Sequence, residues 1–333
     1  MPDDRPPLRY LTAADVTAAM PDIAERLRLA ERTLIALVAD AELPPKIGVH
    51  PRPEGSFAHA MPAHLRGADA AGGDDLIGMK WVAGFATNNA SGLAAINAVV
   101  ILNDAATGLP TAILDGGPIT AMRTAAVSGV AIAHFAPAVA GRPTRAALIG
   151  TGVQGRSHLA VLAHVLPGVA LTVFDRHADR AEAFATAARA TPGIAGVTVA
   201  ADARTAVRDA DVVVTAASFG PLRQVMTADQ LTPDALVVPV DYATYCAADV
   251  ARTAAAFLVD DRGQFLANRE AGLFDGYPDP TATLGEALLA GMSRPATGRV
   301  VATHLGVGLA DVVFGAAILA RAEALGLGIQ LPR

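Results

Sequence analysis

The feature that most constrains the fold is an apolar run ending in three glycines spaced G-x-G-x-x-G, at residues 147–155. Residues 156–162, which follow it, are typical of the start of a helix. A strand, a tight glycine turn and a helix N-terminus together form a pyrophosphate site, because the first N–H groups of the helix are unpaired and its dipole attracts negative charge. We therefore predict a dinucleotide-binding loop made of Gly150, Gly152, Val153, Gln154 and Gly155.

A second apolar run ends in an acid at the position expected for ribose binding. Asp175 follows Gly150 by about 25 residues, near the usual spacing of the carboxylate that binds the ribose 2′-hydroxyl. It favours NAD(H), whereas the adjacent Arg176 would suit the 2′-phosphate of NADP(H). Later apolar runs at 197–199 and 211–216 alternate with helical patterns and predict a doubly wound parallel sheet. Thr215 and Ser218, near the end of the last run, complete the predicted cofactor contacts.

Composition excludes several other classes of function. The chain has 333 residues, enough for two domains, and a net charge of −6 with no basic stripe, which argues against a nucleic-acid partner. It contains no uninterrupted apolar run of membrane-spanning length, and its first residues are unlike a signal peptide. The single Cys246 excludes an intramolecular disulfide, and no histidine pair has zinc-ligand spacing. We expect a cytoplasmic protein without a metal.

The chain order indicates a discontinuous first domain. Strand patterns at 77–85, 98–103 and 110–115, with a turn at 104–108, predict a hairpin, and a helix is predicted from Thr120 to Phe135. A long helical pattern at 308–325 could return to the first domain. We predict that residues 1–124 and 306–333 form an α+β substrate-binding and dimerisation domain. A Rossmann domain, residues 125–305, is inserted between these two segments.

Four segments in order resemble one family. They are Lys80 on a strand, a D-x-x-T-G turn at 104–108, the run T-A-M-R-T-A-A at 120–126, and the G-x-G-x-Q loop. Together they resemble the ornithine cyclodeaminase/μ-crystallin family over nearly the whole chain. The resemblance implies that Lys80 and Arg123 bind a substrate α-carboxylate beside the nicotinamide and that Thr124 contacts cofactor phosphate. It also places Lys46 where relatives often have a third carboxylate ligand, an arginine, and implies a homodimer.

The sequence departs from that family at two predicted catalytic positions. Aligning Asp249 with the last acid of the cyclodeaminase loop puts Ala243 where the cyclodeaminase aspartate belongs, and Asp241 stands two residues earlier. Asp241 either replaces that acid or has another role. His304 stands where relatives commonly have serine, and an imidazole is a good proton donor or acceptor. The substrate side-chain pocket is expected to draw on a loop at 46–61.

Three functions remain open from the sequence. The leading hypothesis is an NAD(P)-dependent oxidoreductase acting on the C–N bond of a small amino or imino acid, of the imine reductase or amino-acid dehydrogenase type. Lys80, Asp241 and His304 are its predicted catalytic residues. An ornithine cyclodeaminase-type ammonia lyase is the runner-up, because it needs an acid that is missing here. A non-enzymatic NAD(P)H-binding protein similar to μ-crystallin is the third.

Overall fold

The computed structural model describes residues 5–67, 75–218 and 223–333. Two short 3₁₀ turns cover Ala86–Ser91 and Ala228–Gln230. The strands are β1 (Leu8–Leu11), β2 (Ala41–Glu42), β3 (Ile47–Val49), β4 (Phe57–Leu65), β5 (Leu76–Gly84), β6 (Ile96–Asn103), β7 (Pro110–Asp115), β8 (Arg145–Ile149), β9 (Val169–Phe174), β10 (Ile194–Val199), β11 (Val212–Thr215), β12 (Leu236–Pro239), β13 (Ala256–Val259), β14 (Ala282–Thr283), β15 (Val300–Thr303) and β16 (Ile329–Leu331).

The helices lie before, between and after these strands. They are α1 (Ala13–Ala18), α2 (Ile23–Ala39), α3 (Gly116–Phe135), α4 (Val153–Val165), α5 (Ala178–Arg189), α6 (Ala203–Val207), α7 (Ala248–Arg252), α8 (Arg262–Glu270), α9 (Leu284–Leu289) and α10 (Gly308–Ala324). Among the described residues, no helix is both long enough and apolar enough to cross a membrane.

The chain divides into two compact units. Unit 1 comprises Met1–Arg123 and Gly306–Arg333, and unit 2 comprises Thr124–Leu305. Because the first boundary falls inside α3, Arg123 and Thr124 are consecutive helical residues that belong to different units.

Unit 1 is built on a mostly antiparallel sheet with strand order β16-β1-β7-β6-β5-β4-β2, and β3 pairs with β4. The β6–β7 hairpin has the predicted antiparallel pairing, whereas β1 runs parallel to β7. Alternate residues of β5 are buried, including Gly78, Lys80 and Val82, because α10 packs on this face of the sheet. The pleat therefore directs Lys80 toward α10 rather than toward solvent.

The prediction of a loop at 46–61 is partly wrong. This segment contains β3 and the first five residues of β4, and Gly48 of β3 pairs with His59 of β4. Alanine, histidine and proline have weak β propensity, so the segment carries little local strand signal. Pairing with β5 along the whole of β4 supplies the stability that local propensity does not.

Unit 2 confirms the predicted doubly wound α/β fold. Its sheet is parallel throughout, with strand order β10-β9-β8-β11-β12-β15-β13-β14. The order reverses between β8 and β11, which lie side by side but lead to opposite halves of the sheet. Ligands of such sheets bind beyond the carboxyl ends of the strands at this reversal. The glycine loop follows β8 at that edge.

Helix α3 begins four residues earlier than predicted, at Gly116 instead of Thr120. The Asp115 carboxylate accepts a hydrogen bond of 2.9 Å from the N–H of Gly117, one of the unpaired donors of the first turn. Pro118 fits here because the first turn of a helix needs no N–H from it. The glycines and the proline at 116–118 were interpreted as ending the preceding strand, but these residue types also suit the first turn of a helix. The predicted start of α3 was therefore too late.

Candidate functional site

The three glycines of the loop after β8 have different structural roles. Gly150 has a φ of +95°, and a Cβ there would collide with the carbonyl oxygen of Ala216. A Cβ on Gly155 would collide with the Gly150 carbonyl oxygen, so the close packing of α4 on this turn requires glycine. A Cβ on Gly152 would meet no atom within 4 Å. The fold itself therefore does not require glycine at 152, which leaves space for a phosphate group.

The start of α4 is suited to an anion. Gly152 caps the helix with no side-chain hydrogen bond, and Val153, the first helical residue, is 70% exposed although it is apolar. Gln154 is half-buried in the same turn. A helix N-terminus without a side-chain cap offers its N–H groups to a ligand. These residues fit a dinucleotide pyrophosphate.

Asp175 supports the glycine loop directly. Its Oδ2 accepts hydrogen bonds from the Thr151 N–H at 2.8 Å and the Thr151 hydroxyl at 2.9 Å, and its Oδ1 accepts one from the His177 N–H. Burial raises the pKa of the Asp175 carboxyl, but these hydrogen bonds outweigh burial and hold the pKa below its ordinary value. Asp175 is therefore ionised at neutral pH.

A cavity of about 550 Å³ opens beside Asp175 within unit 2. It is lined by Phe174, Asp175, Arg176, Ala178, Ala181 and Val199–Ala201. Arg176 is exposed, and its Nε donates a hydrogen bond of 3.2 Å to Nε2 of His177. The cavity provides a half-apolar space of the kind that holds an adenosine group.

The remaining predicted cofactor residues lie in different surroundings. Thr215 ends β11, is buried, and donates its hydroxyl to Oδ1 of Asp241 at 2.9 Å. Ser218 is exposed in the loop after β11, next to residues outside the described part of the chain. Thr124 is buried in α3. Their contacts with a cofactor stay predictions.

Unit 1 contains a buried cluster of two cations and one carboxylate. Nζ of Lys80 lies 2.7 Å from Oδ2 of Asp311, and Nε of Arg123 donates to Oδ1 of Asp311 at 3.2 Å. Lys80 comes from β5, Arg123 from α3 and Asp311 from the first turn of α10, and all three are buried. One carboxylate thus holds both cations that the family resemblance implies as ligands of the substrate carboxylate.

This cluster carries more positive than negative charge. Burial lowers the pKa of Lys80 to about 7, although the Asp311 carboxylate acts in the opposite direction. The positive charges of Arg123 and Lys46 lower the pKa of Lys80 further. Lys46 is half-buried just before β3, near enough to affect Lys80 electrostatically. An anion bound here would favour protonated Lys80.

Two residues of this cluster, Asp311 and Gly306, were not predicted from the sequence. A Cβ on Gly306, whose φ is +77°, would overlap the Arg123 guanidinium, so glycine makes room for that side chain. Asp311 is the only charged residue of α10 before Arg321 and is fully buried. An acid within an apolar, buried helix was the available signal, since a buried charge needs a partner.

Asp241 follows β12 and is almost fully buried in unit 2. Its Oδ1 accepts from the Thr215 hydroxyl at 2.9 Å and its Oδ2 from the Ala217 N–H at 2.9 Å. Burial raises the pKa of Asp241 to about 6, although both hydrogen bonds act to lower it. Ala243, where the cyclodeaminase aspartate was expected, lies in the hydrophobic core. This loop therefore places no acid at position 243.

His304 follows β15 and is also buried in unit 2. Its Nε2 lies 2.8 Å from the hydroxyl oxygen of Ser128 in α3. The adjacent Thr303 and Leu305 are tied to the Asp241 loop, because Thr303 donates to the Pro239 carbonyl and Tyr242 donates to the Leu305 carbonyl. His304 and Asp241 thus belong to neighbouring, hydrogen-bonded loops at the carboxyl edge of the sheet. Across residues 5–67, 75–218 and 223–333, no group of three or more His, Cys, Asp or Glu side chains could hold a metal ion.

The model of the ornithine cyclodeaminase/mu-crystallin family matches residues 12–256. The chain belongs to this family. Nodulation efficiency protein NfeD of Rhizobium meliloti is 34% identical over 330 residues, which cover 97% of this chain and 98% of that protein. The Delta(1)-pyrroline-2-carboxylate/Delta(1)-piperideine-2-carboxylate reductase of Azospirillum brasilense is 34% identical, but the match covers only 55% of each protein. Alignments with curated reductases of this kind thus span about half of their length.

A solved structure shares the fold over its whole length. The Thermococcus litoralis Delta(1)-pyrroline-2-carboxylate reductase, in complex with NADH and L-proline, superposes with a TM-score of 0.83. The match covers 97% of this chain and 100% of that chain at 22% identity. The family model thus confirms the predicted family, and this superposition confirms the predicted fold class.

Proposed function

We propose that this member of the ornithine cyclodeaminase/mu-crystallin family is an NAD(P)-dependent imine reductase. Its substrate would be a small cyclic imino acid that carries a carboxylate next to the C=N bond. The observation that carries the proposal is the buried cluster of Lys80, Arg123 and Asp311, which has one more cation than anion. Several curated relatives reduce substrates of this class, as their names state.

The cluster suits a carboxylate. The guanidinium of Arg123 presents donors in a planar fork that matches a carboxylate. Lys80 adds an ammonium group whose protonation a bound anion would favour. Asp311 contacts Lys80 through Nζ and Arg123 through Nε, so it orients both cations, and we assign the terminal guanidinium nitrogens and the ammonium to the substrate carboxylate. Lys46 would add a third positive charge nearby.

Unit 2 would hold the cofactor through the loop 150–155 and the Asp175 carboxylate. When bound, NAD(P)H supplies the hydride that reduces the C=N carbon. We favour NAD(H), because an ionised Asp175 would attract a ribose 2′-hydroxyl and repel a 2′-phosphate. Arg176, exposed beside Asp175, keeps NADP(H) as the alternative.

Reduction of a neutral imine requires one proton at nitrogen in addition to the hydride. We assign its transfer to His304, either directly or through water. Asp241, whose pKa burial raises to about 6, is the alternative, but both of its carboxylate oxygens already accept hydrogen bonds, from Thr215 and Ala217. We therefore assign Asp241 to holding the ends of β11 and β12 in place.

Cyclodeamination is less well supported by the residues present. It requires recognition of a second, distal amine, which the cyclodeaminase aspartate is thought to assist. Ala243 stands in the hydrophobic core at that position. A purely cofactor-binding role is also less well supported, because such a protein would not need two buried cations on a buried acid.

We further propose that the protein is a homodimer that pairs through unit 1. The sheet face opposite α10 is apolar, and it includes Ile77, Trp81, Ile101 and Ile113. Ile77 is 38% exposed and Trp81 is 41% exposed. A contiguous apolar sheet face of this kind marks an interaction surface.

The test is NADH and NADPH oxidation with five- and six-membered cyclic 2-imino carboxylates, compared with the same rings without a carboxylate. We expect turnover only when the carboxylate is present. Lys80→Met should abolish turnover and leave cofactor affinity unchanged. Ammonia release from ornithine or lysine without net cofactor oxidation would refute reductase activity in favour of cyclodeamination. Tight NADH binding without turnover on any imine would favour a binding role.

A further inference from the structure

One face of the unit 1 sheet carries a histidine next to the buried cations. In the antiparallel pairing of β4 with β5, Met61 stands opposite Lys80. His59, two residues before Met61, stands opposite Val82. Because opposite residues of such a pair point to the same side, His59 shares the face of Lys80 and lies diagonally beside it. Side chains in this diagonal relation are about 7–8 Å apart, a separation that suits two groups carried by one small ring.

Helix α10 covers only part of this face. A Cβ on Gly308, the first residue of α10, would collide with the carbonyl oxygen of Met61, so the helix starts directly over Met61. From Met61 onward this face of β4 is buried, whereas Phe57 and His59 are half-buried. The open part of the face therefore lies at the N-terminus of α10, where the helix dipole favours negative charge.

The ring of His59 is fixed by packing. It stacks on the ring of Phe57, with the ring centroids 4.6 Å apart and the planes inclined by 28°. Gly48 of β3 pairs with His59, and a Cβ there would lie 2.7 Å from Cδ2 of the histidine ring. A Cβ on Gly84 of β5 would collide with the ring of Phe57. The two glycines make room for the two rings, which keep the nitrogens of His59 in a defined place.

The charged surroundings of His59 are basic. Burial is the main cause that lowers the pKa of His59 to about 4, followed by the positive charges of Lys46, His50 and Lys80. Lys46 also lowers the pKa of Lys80, so it lies within electrostatic reach of both groups. A substrate ammonium would be repelled here. An anion would be attracted, and it would raise the pKa of His59.

We propose that His59, with Lys46 and His50 beside it, forms a subsite for a second acid group of the substrate. The substrate class is then a cyclic 2-imino acid with another carboxylate on its ring. The first carboxylate binds Lys80 and Arg123, and the second accepts a hydrogen bond from the His59 ring and is attracted by Lys46. This subsite rests on the proposed imine reductase function. Its chemistry is opposite to that needed for the distal amine of a cyclodeaminase substrate.

Reduction of two imines that differ only in the second acid group tests the subsite. They are 1-piperideine-2,6-dicarboxylate and 1-piperideine-2-carboxylate. We expect kcat/KM to be at least tenfold higher for the dicarboxylate, because a hydrogen bond to a charged group is worth about ten- to a hundredfold in affinity. His59→Leu, which removes the ring nitrogens, should lower this ratio about tenfold, and His59→Gln, which keeps a donor, should retain part of it. Equal kcat/KM values in the wild type, or an unchanged ratio in His59→Leu, would overturn the proposal.

His64→Leu is the matched control. His64 is also a half-buried histidine of β4, but the alternation of the strand places it on the opposite face, and its Nε2 lies 3.1 Å from Oδ2 of Asp75. Its ratio of kcat/KM values should match that of the wild type. A ratio lowered as much as in His59→Leu would assign the effect to the stability of β4 and refute the subsite. NADH binding, followed by cofactor fluorescence, verifies that each variant is folded.

Binding of the saturated amino acids separates this proposal from the proposed function. In calorimetric titrations of the NADH-saturated protein, cis-piperidine-2,6-dicarboxylate should bind at least tenfold more tightly than piperidine-2-carboxylate, and His59→Leu should lose this difference. If neither imine is reduced, the reductase function fails, and this comparison still decides the subsite, since equal affinities would exclude it. If the monocarboxylate imine is reduced more efficiently, the reductase function stands and the subsite fails.

Discussion

Replacing Asp311 with asparagine should remove the charge that keeps Lys80 protonated. The two groups are 2.7 Å apart and buried, so Coulomb's law at an effective dielectric constant of about 20 gives at most about 6 kcal/mol, or about four pKa units. The wild-type pKa of Lys80 is about 7, so about half of the molecules carry the ammonium at pH 7. A drop of only two units would leave about 1% protonated.

The expected loss of affinity follows from these fractions. If the substrate carboxylate binds only to protonated Lys80, its affinity at pH 7 falls about fiftyfold, the ratio of the two protonated fractions. Because the pKa of Lys80 is lowered, acidification restores the ammonium. The fiftyfold deficit of Asp311→Asn relative to wild type should therefore shrink to about fourfold at pH 5.5, where about a quarter of the variant molecules would carry the ammonium.

L-proline is the saturated cyclic amino acid that the proposed reduction of a five-membered 2-imino carboxylate would yield, and its calorimetric titration into the cofactor-saturated protein measures this effect. Lys80→Met should lose similar affinity without recovering at low pH. Asp211→Asn is the matched control, because its carboxylate also binds an arginine, Arg142, at 2.7 and 2.8 Å, but lies in unit 2. It should reduce stability and leave L-proline affinity unchanged. A folded Asp311→Asn protein with wild-type affinity at pH 7 would refute the reasoning.

Four further substitutions have distinct expected outcomes. Gly152→Ala should weaken NADH binding at least tenfold but keep the wild-type melting temperature, because its Cβ would fill only the space that we assign to the cofactor. Gly155→Ala should weaken NADH binding and also lower the melting temperature, because its Cβ would collide with the Gly150 carbonyl oxygen. Equal melting temperatures for the two variants would contradict this prediction. Asp241 has a pKa raised from 3.8 to about 6, so the folded state binds the extra proton and the unfolding free energy falls as pH rises from 4 to 6. In urea unfolding, Asp241→Asn should not show this decrease in unfolding free energy, which amounts to at most about 3 kcal/mol in the wild type. Trp81→Glu should convert the dimer to monomers in sedimentation velocity, and an unchanged mass would exclude this sheet face as the interface.

Local patterns predicted the loop to which we assign cofactor binding. The strand, the glycine turn and the helix that follows it are consecutive, so residues 147–162 contain the whole motif. Even Asp175, which bonds Thr151 across 24 positions, lies at a recognisable spacing. Short sequence separation is why this part could be derived before the fold was known.

Long-range contacts explain what the sequence did not reveal. Arg123 and Asp311 are 188 positions apart, and Ser128 and His304 are 176 positions apart. Neither pair lies at a spacing that marks a sequence motif, because its two residues come together only when the unit that contains them folds. The resemblance identified Lys80 and Arg123, but Asp311, which holds both, was visible only as an unexplained acid in an apolar helix.

Asp175 makes a change of cofactor preference difficult to engineer. Its carboxylate binds both the N–H and the hydroxyl of Thr151, and so holds the glycine loop while standing where the ribose is expected. Replacing it with a small neutral residue, to admit a 2′-phosphate, would remove that support at the same time. A successful change of cofactor preference would need a second substitution that restores the hydrogen bonds to Thr151. Selection for one cofactor must therefore also act on the rigidity of this loop.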